Sequence, residues 1–201
     1  AEDAAGGAAA GAGGEAAQAA QALADAREGA ERVRQVVRDL RTLSGTREER
    51  RARVELVPIA ESAIRMAGSE LRPRARLVRE YGDAPPVVGD EARLGQVVLN
   101  LLVNAAHAIP EGHPLEHEIR VVIGTDASGR ALLEVRDTGT GIPPELAGRI
   151  FEPFFTTKAS GTGLGLSICR SILWEVGGTL NVQSEMHKGT RVLVTVPWAP
   201  A

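Results

Sequence analysis

Apolar and polar positions alternate along most of the chain with two periods, one typical of strands and one typical of helices. Short β-branched runs predict strands at 54–57, 77–81, 119–124, 132–137, 179–184 and 191–196. Apolar residues spaced three and four positions apart predict helices at 58–71, 90–109 and 163–176. The last two strands are close enough in sequence to form a hairpin. This order predicts an α/β fold, a two-layer sandwich whose sheet is largely antiparallel.

The first 45 residues follow a different pattern. Residues 1–14 are almost entirely Ala and Gly, which predicts a flexible leader. Residues 15–43 predict a long helix that ends at Ser44-Gly45, with a single apolar stripe formed by Val33, Val36, Val37, Leu40 and Leu43. Such a helix either packs on its own domain or forms half of a helical hairpin whose partners lie outside the chain. A lone stripe on a charged helix favours the hairpin, so 15–45 is interpreted as part of a dimerisation element.

Composition excludes several classes of partner. With 23 basic and 26 acidic residues the formal charge is −3, so neither nucleic acid nor an anionic membrane surface is an expected partner. No segment approaches the ~20 apolar residues that a membrane-spanning helix needs. The single cysteine, Cys169, cannot form an internal disulfide, and this favours a reducing, cytoplasmic location, either of a free protein or of the cytoplasmic part of a membrane receptor.

One helix places polar side chains among apolar ones. Asn100 and Asn104 are one turn apart on the same face of helix 90–109, and His107 extends that face by a turn. Asn carbonyl oxygens are ligands suited to Mg²⁺, which often bridges substrate phosphates. The alternative is that both Asn side chains bond to the backbone of a neighbouring helix.

A second segment joins a carboxylate to glycines directly after an apolar strand. In Asp137-Thr-Gly139-Thr-Gly141, the glycines allow a sharp turn and the close approach of a flat ligand. A carboxylate at the strand end can accept a hydrogen bond from the exocyclic amine of a purine. The same pattern is also found in ordinary turns.

Two further segments adjoin each other. Aromatic residues make up only 3% of the chain, yet all three phenylalanines lie in Phe151-Glu-Pro-Phe-Phe-Thr-Thr-Lys158. The run Gly161-Thr-Gly163-Leu-Gly165-Leu-Ser opens the last helix, where backbone N–H groups favour phosphate. A Walker A loop requires Gly-Lys-Ser/Thr and a Rossmann fingerprint requires glycine at 166, so neither motif fits.

Taken together and in this order, the four segments resemble the N, G1, F and G2 boxes of sensor histidine kinases in the GHKL ATPase superfamily. The resemblance covers roughly residues 50–198. It implies a Bergerat-type fold that binds ATP and Mg²⁺ and transfers the γ-phosphoryl group to a histidine on a helical hairpin, for relay to a response regulator. The full-length protein is then expected to form a homodimer through the N-terminal helix.

The resemblance also implies roles for individual residues. Asn104 would be the main Mg²⁺ ligand with Asn100 beside it, and Lys158 would contact phosphate. Asp137 would bind the adenine amine in a pocket supported by the Thr190 hydroxyl. The remaining residues expected to contact nucleotide are Gly139, Gly141, Ile142, Phe151, Gly161, Thr162, Gly163, Leu164, Gly165 and Leu166. His107 joins them because its place on the Asn face of the helix lets it reach the phosphates.

The chain departs from the family pattern in two places. None of its four histidines opens a helix before residue 43, so we expect no autophosphorylation by this chain alone and interpret it as part of a larger kinase. The segment between Lys158 and Gly161 is also short, which predicts weaker retention of nucleotide. The alternative function is a GHKL module that senses nucleotide without phosphotransfer; a serine kinase of the anti-sigma type fits the Phe-rich segment less well.

Overall fold

The computed structural model describes residues 51–158 and 161–199, together with Gln18, 21–23, Ala26, Gly29 and Ala30. The chain divides into two compact units, Ala1–Ser44 and Gly45–Ala201. All seven described residues of the first unit are helical. The predicted leader, the valine stripe and the Ser44-Gly45 stop lie outside the described residues, so the dimerisation helix stays a prediction.

The second unit contains a five-stranded sheet. Its strands are β2 (Arg76–Tyr81), β4 (Glu118–Thr125), β5 (Ala131–Asp137), β6 (Thr179–Glu185) and β7 (Gly189–Val196), and β1 (Ala52–Val54) pairs separately with β3 (Val87–Gly89). The sheet order is β2-β4-β5-β7-β6, in which only the β2–β4 pair is parallel. This arrangement confirms the predicted, largely antiparallel α/β sandwich.

Helices cover one face of this sheet. They are α1 (Leu56–Met66), α2 (Gly68–Leu71), α3 (Glu91–His107) and α4 (Gly165–Glu175), and a 3₁₀ turn spans Pro144–Leu146. The central helix, α3, begins where the Asp90 side chain accepts a hydrogen bond of 3.0 Å from the Arg93 amide. Its apolar positions recur at helical spacing and are buried in the core, among them Leu94, Val98 and Leu101. Burial of this stripe therefore fixes the direction in which the opposite, polar face points.

Three parts of the predicted element order were wrong. The strand predicted at 54–57 ends at Val54, and Leu56 begins α1, because Leu56, Ile59 and Ala60 continue a helical apolar stripe into the core. Pro58 is tolerated there because it lies in the first turn. The helix predicted at 58–71 is two helices, separated at Ala67. Strand β3 was missed, since three residues are too few to show a period.

The β6–β7 turn requires glycine at position 189. Gly189 has φ +103°, and a Cβ there would overlap the carbonyl oxygen of Asp137. Gly129 shares a positive φ of +79° but has open space around it, whereas Gly124 has open space and no positive φ. Gly189→Ala should therefore lose about 3 kcal/mol of unfolding free energy, Gly129→Ala about 1 kcal/mol, and Gly124→Ala almost none. Urea unfolding measures all three, and equal losses for Gly189→Ala and Gly129→Ala would show that the overlap is relieved elsewhere.

Candidate functional site

The polar face of α3 points toward the start of α4. Asn100 Nδ2 donates a 3.3 Å hydrogen bond to the carbonyl oxygen of Gly165. A Cβ on Gly165 would lie 3.7 Å from Asn104 Nδ2, so the start of α4 packs directly on both Asn side chains. Both are half-buried. The alternative in which an Asn bonds to the backbone of a neighbouring helix is therefore true of Asn100, while the Asn104 amide makes no hydrogen bond among the described residues.

His107 extends this polar face, as its spacing predicted. Its Nε2 lies 3.2 Å from Glu70 Oε2, and Glu70 is itself 3.9 Å from Arg74 Nη2. Burial lowers the pKa of His107, and so does the nearby Lys158 ammonium, although Glu70 opposes them. A largely neutral imidazole therefore lies one turn beyond Asn104.

Asp137 ends β5 and is 5% exposed. Its Oδ1 accepts hydrogen bonds from the Gly139 amide at 2.8 Å and the Thr190 amide at 3.3 Å. Burial raises the pKa of Asp137, while those two amides and Lys158 oppose the shift. Its second oxygen, Oδ2, accepts no hydrogen bond from the residues that the structure describes. One acceptor is thus held rigidly and the other is left for a partner.

The glycines after Asp137 allow their loop to lie between two parts of the protein. A Cβ on Gly139 would overlap the carbonyl oxygen of Ala108 at the end of α3. Gly141 has φ +72°, and its Cβ would overlap the carbonyl oxygen of Glu185 at the end of β6. We expected these glycines to let a flat ligand approach. Their missing side chains also make room for the protein's own backbone, which fixes the loop beside Asp137, and the approach of a flat ligand stays a prediction.

Ser184 was not found from the sequence, although it connects three parts of this site. Its Oγ accepts a 2.8 Å hydrogen bond from the Ile142 amide and donates a 3.1 Å bond to the carbonyl oxygen of Gly189. It also lies 2.9 Å from Thr190 Oγ1. A serine near the end of a polar strand carries no local signal, because its partners are 5, 6 and 42 residues away.

The Phe-rich segment contacts α4 and its own neighbours. Phe151 lies 5.3 Å from the Arg170 guanidinium and Phe155 lies 4.2 Å from that of Arg149, both as cation–π pairs. Phe154 is 66% exposed, with φ +66°. Gly163 has φ +68°, and a Cβ there would overlap the carbonyl carbon of Phe154. The Phe-rich and glycine-rich segments are therefore in direct backbone contact.

Lys158 links the two halves of the site. Its Nζ donates a 3.3 Å hydrogen bond to the backbone carbonyl oxygen of Asn104. Burial lowers the pKa of Lys158, while the charge of Asp137 opposes that shift. The ammonium group therefore interacts with the Asn104 side of the site and with the Asp137 side.

The glycine-rich segment leads into α4 without a side-chain cap. A Cβ on Gly161 would overlap the hydroxyl of Thr156, and Thr162 Oγ1 accepts a 3.3 Å bond from the Leu164 amide. Leu164 is fully buried in the core and Leu166 packs against it. These two side chains therefore anchor the segment, and any contact of Leu164 with a ligand must use its backbone.

Comparison with known proteins agrees with this geometry. Residues 89–200, more than half of the chain, match the model of the family described as histidine kinase-, DNA gyrase B- and HSP90-like ATPase. The sensor kinase CckA of Brucella abortus is 34% identical over 184 residues, which cover 85% of this chain and 20% of that protein. The sensory histidine kinase/phosphatase NtrB of Azospirillum brasilense is 32% identical over 170 residues, which cover 79% of this chain and 42% of that protein. The chain thus spans less than half the length of both relatives.

Solved structures give the same result. The mycobacterial sensor histidine kinase MprB aligns with a TM-score of 0.63 at 29% identity, covering 75% of this chain and 99% of that one. Full-length ShkA, solved in complex with AMPPNP, aligns with a TM-score of 0.74 at 25% identity, covering 93% of this chain and 40% of that one. The chain belongs to the histidine kinase-, DNA gyrase B- and HSP90-like ATPase family, and its second unit is a catalytic, ATP-binding domain of the sensor histidine kinase type.

Proposed function

We propose that this chain binds ATP with Mg²⁺ between α3, the Asp137 loop and the start of α4, and that it transfers the γ-phosphoryl group to a histidine on a helical hairpin. The phosphoryl group then passes to an aspartate on the receiver domain of a response regulator. The similarity to sensor kinases supports the reaction class. The arrangement of the residues supports the position of the site.

The observation that carries the proposal is the half-satisfied carboxylate of Asp137. Oδ2 accepts no hydrogen bond from the described residues and keeps some exposure, so it is available to a donor on a ligand. The exocyclic amine of adenine is such a donor. Thr190 and the fixed loop at Gly139 and Gly141 lie beside Asp137, and we propose that the flat base lies against them.

The phosphate side lies around α3 and α4. The uncapped amides at the start of α4 favour an anion, and Gly161, Gly163 and Gly165 bring backbone rather than side chains close to it. Lys158 supplies a cation, and Ile142, Phe151 and Thr162 lie on the loops that border the site. These groups would position the phosphates and neutralise their charge.

Asn104, with Asn100 beside it, is the proposed position for Mg²⁺. The described residues contain no cluster of three or more His, Cys, Asp or Glu side chains that could hold a metal alone. An amide oxygen that shares the ion with substrate phosphates and water fits the preference of Mg²⁺ for oxygen ligands. When bound, the ion supplies charge neutralisation at the phosphates. Asn100 is already tied to Gly165, so it fixes the start of α4 beside Asn104.

The phosphoacceptor is proposed to lie on a hairpin outside the residues that form this site. The four histidines are His107, His113, His117 and His187, all within the ATP-binding unit. We propose that residues 15–45 belong to such a hairpin and that the full-length protein is a homodimer through it, in the cytoplasm. No helix among the described residues is long and apolar enough to cross a membrane.

Phosphotransfer to a separate hairpin tests this proposal. The chain is incubated with γ-labelled ATP, Mg²⁺ and the helical hairpin of the related Brucella abortus CckA, with the same hairpin lacking its histidine as the control. Label on the hairpin, and none on the control, is the expected result. ATP binding without label on hairpins from several relatives would instead identify a nucleotide-sensing module.

His107 is proposed to contact the phosphates from its place beyond Asn104. His107→Ala should raise the Kd for Mg·ATP about fivefold, the loss of one hydrogen bond of about 1 kcal/mol. His113→Ala is the matched control, because the His113 side chain is 67% exposed on a loop, where it pairs with Glu116. Calorimetry measures both, and equal affinities for wild type and His107→Ala would remove His107 from the site.

A further inference from the structure

Asp137, Thr190 and Ser184 form one row across three neighbouring strands. Ser184 on β6 pairs in register with Thr190 on β7. Thr190 is one step beyond the Arg136–Arg191 pair and therefore lies opposite Asp137 on β5. Its amide donates to Asp137 Oδ1, so the three side chains share the helix-covered face of the sheet. Thr190 is 8% exposed, whereas Ser184 is exposed.

Counting protons favours one direction for the hydrogen bonds in this row. The Ser184 hydroxyl has one proton, and its donation to the Gly189 carbonyl oxygen uses it. The Ile142 amide then fills one acceptor position of Ser184, which leaves the other for the Thr190 hydroxyl at 2.9 Å. With the reverse direction, the proton of the buried Thr190 hydroxyl would have no acceptor among the described residues.

The consequence concerns what this row offers to a ligand. Because the Thr190 proton is directed at Ser184, the Thr190 oxygen presents only acceptor positions to the pocket. Asp137 Oδ2 is an acceptor as well. Two adjacent acceptors match the amine of a 6-amino purine, and they leave a 6-keto oxygen facing oxygen atoms without a proton between them.

We propose that Ser184 is a positioning residue that selects a 6-amino purine over a 6-keto purine by holding the Thr190 hydroxyl as an acceptor. This proposal rests on the proposed function. In the absence of Ser184, the Thr190 hydroxyl rotates and donates to a keto oxygen. Ser184 therefore acts on base selectivity through Thr190, and on the Asp137 loop through the Ile142 amide.

The test compares ATP with inosine triphosphate, which replaces the 6-amino group by a keto oxygen. Calorimetric Kd values for both nucleotides give a preference ratio for each variant. Wild type should prefer ATP by at least about 100-fold, because a site built from two fixed acceptors rejects the keto group. Ser184→Ala should reduce that ratio about tenfold, and Ser184→Thr, which keeps the hydroxyl, should restore it.

A Thr190→Val background separates positioning from a structural effect. Ser184→Ala should leave the ratio of Thr190→Val unchanged, because there is no hydroxyl left to orient. If Ser184→Ala folds poorly, Thr190→Val alone shows how much the Thr190 hydroxyl contributes to the preference for ATP over inosine triphosphate. If Ser184→Ala weakens both nucleotides by the same factor, Ser184 supports the loop only and the inference is wrong. If wild type binds neither nucleotide, the proposed ATP-binding function is wrong, and the inference about Ser184 is wrong with it.

Discussion

Asp137→Asn should reduce the affinity for ATP at least about 100-fold while leaving the protein folded. The substitution keeps the shape of the side chain, and Asn Oδ1 can still accept from the Gly139 and Thr190 amides. The group that faces the pocket changes from an acceptor to an N–H₂ donor, which opposes the adenine amine. A mismatched buried pair leaves both groups unsatisfied, so the effect exceeds the loss of one ordinary hydrogen bond.

The same variant should be as stable as wild type or more stable at neutral pH. Burial raises the pKa of Asp137 above the ordinary value of an aspartate, so the folded state is more stable when this carboxyl is protonated. That contribution is fully present below the unfolded pKa and is lost as pH rises through the folded pKa. Asn carries no charge and retains the contribution at every pH. The unfolding free energy of Asp137→Asn should therefore exceed that of wild type above the folded pKa, and the difference should disappear in acid.

Asp83→Asn is the matched control for both measurements. Asp83 is exposed, and among the described residues it makes a hydrogen bond only through its backbone carbonyl, which accepts from the Thr125 hydroxyl. This variant should bind ATP as wild type does and should unfold at the same urea concentration. Normal ATP affinity in Asp137→Asn would show that Asp137 does not contact the base. A large loss of stability in Asp137→Asn would show that its negative charge supports the fold.

Asn104→Ala should remove the dependence of nucleotide binding on Mg²⁺ and slow phosphotransfer at least about 100-fold, since the metal neutralises charge on the phosphates being transferred. The Lys158 contact is to the backbone carbonyl of Asn104 and is retained in the variant. Alanine also favours the helix, so the fold should persist. Calorimetry with ATP at increasing Mg²⁺, and label transfer to the hairpin, measure the two effects.

Asn181→Ala provides the control for Asn104→Ala. Asn181 is exposed on β6, paired with Leu193 on the face of the sheet away from the helices. It should leave both the Mg²⁺ dependence and the transfer rate unchanged. If Mg²⁺ strengthens ATP binding to Asn104→Ala as much as to wild type, the metal is held elsewhere.

The sequence predicted the parts of the site that lie on long periodic elements. The apolar stripe of α3 determines which face is buried, and Asn100 and Asn104 therefore had to face away from the core together. Asp137 was predictable as the last residue of an apolar strand. In both cases the position of the polar residue follows from the burial of its own neighbours in the chain.

Features that depend on distant backbone were not predictable in this way. Ser184 acts through groups brought near by strand pairing and a loop, and no periodicity records those contacts. Gly139 was recognised from the sequence, but its close contact with the backbone of Ala108 was not predictable, because the end of α3 is distant in sequence. Strand β1 was predicted a few residues too late in the chain, because the apolar Leu56 and Val57 fit a strand pattern as well as a helix pattern. In the structure they belong to α1, which packs on α3.

Calorimetric titration of the wild-type chain and Asp137→Asn with Mg·ATP tests the central claim most directly, which is that Asp137 marks the adenine end of an ATP site. The account predicts saturable, one-to-one binding by wild type and a Kd at least about 100-fold higher for Asp137→Asn, with both proteins folded by circular dichroism. Equal affinities, or no binding by folded wild-type protein, would contradict it.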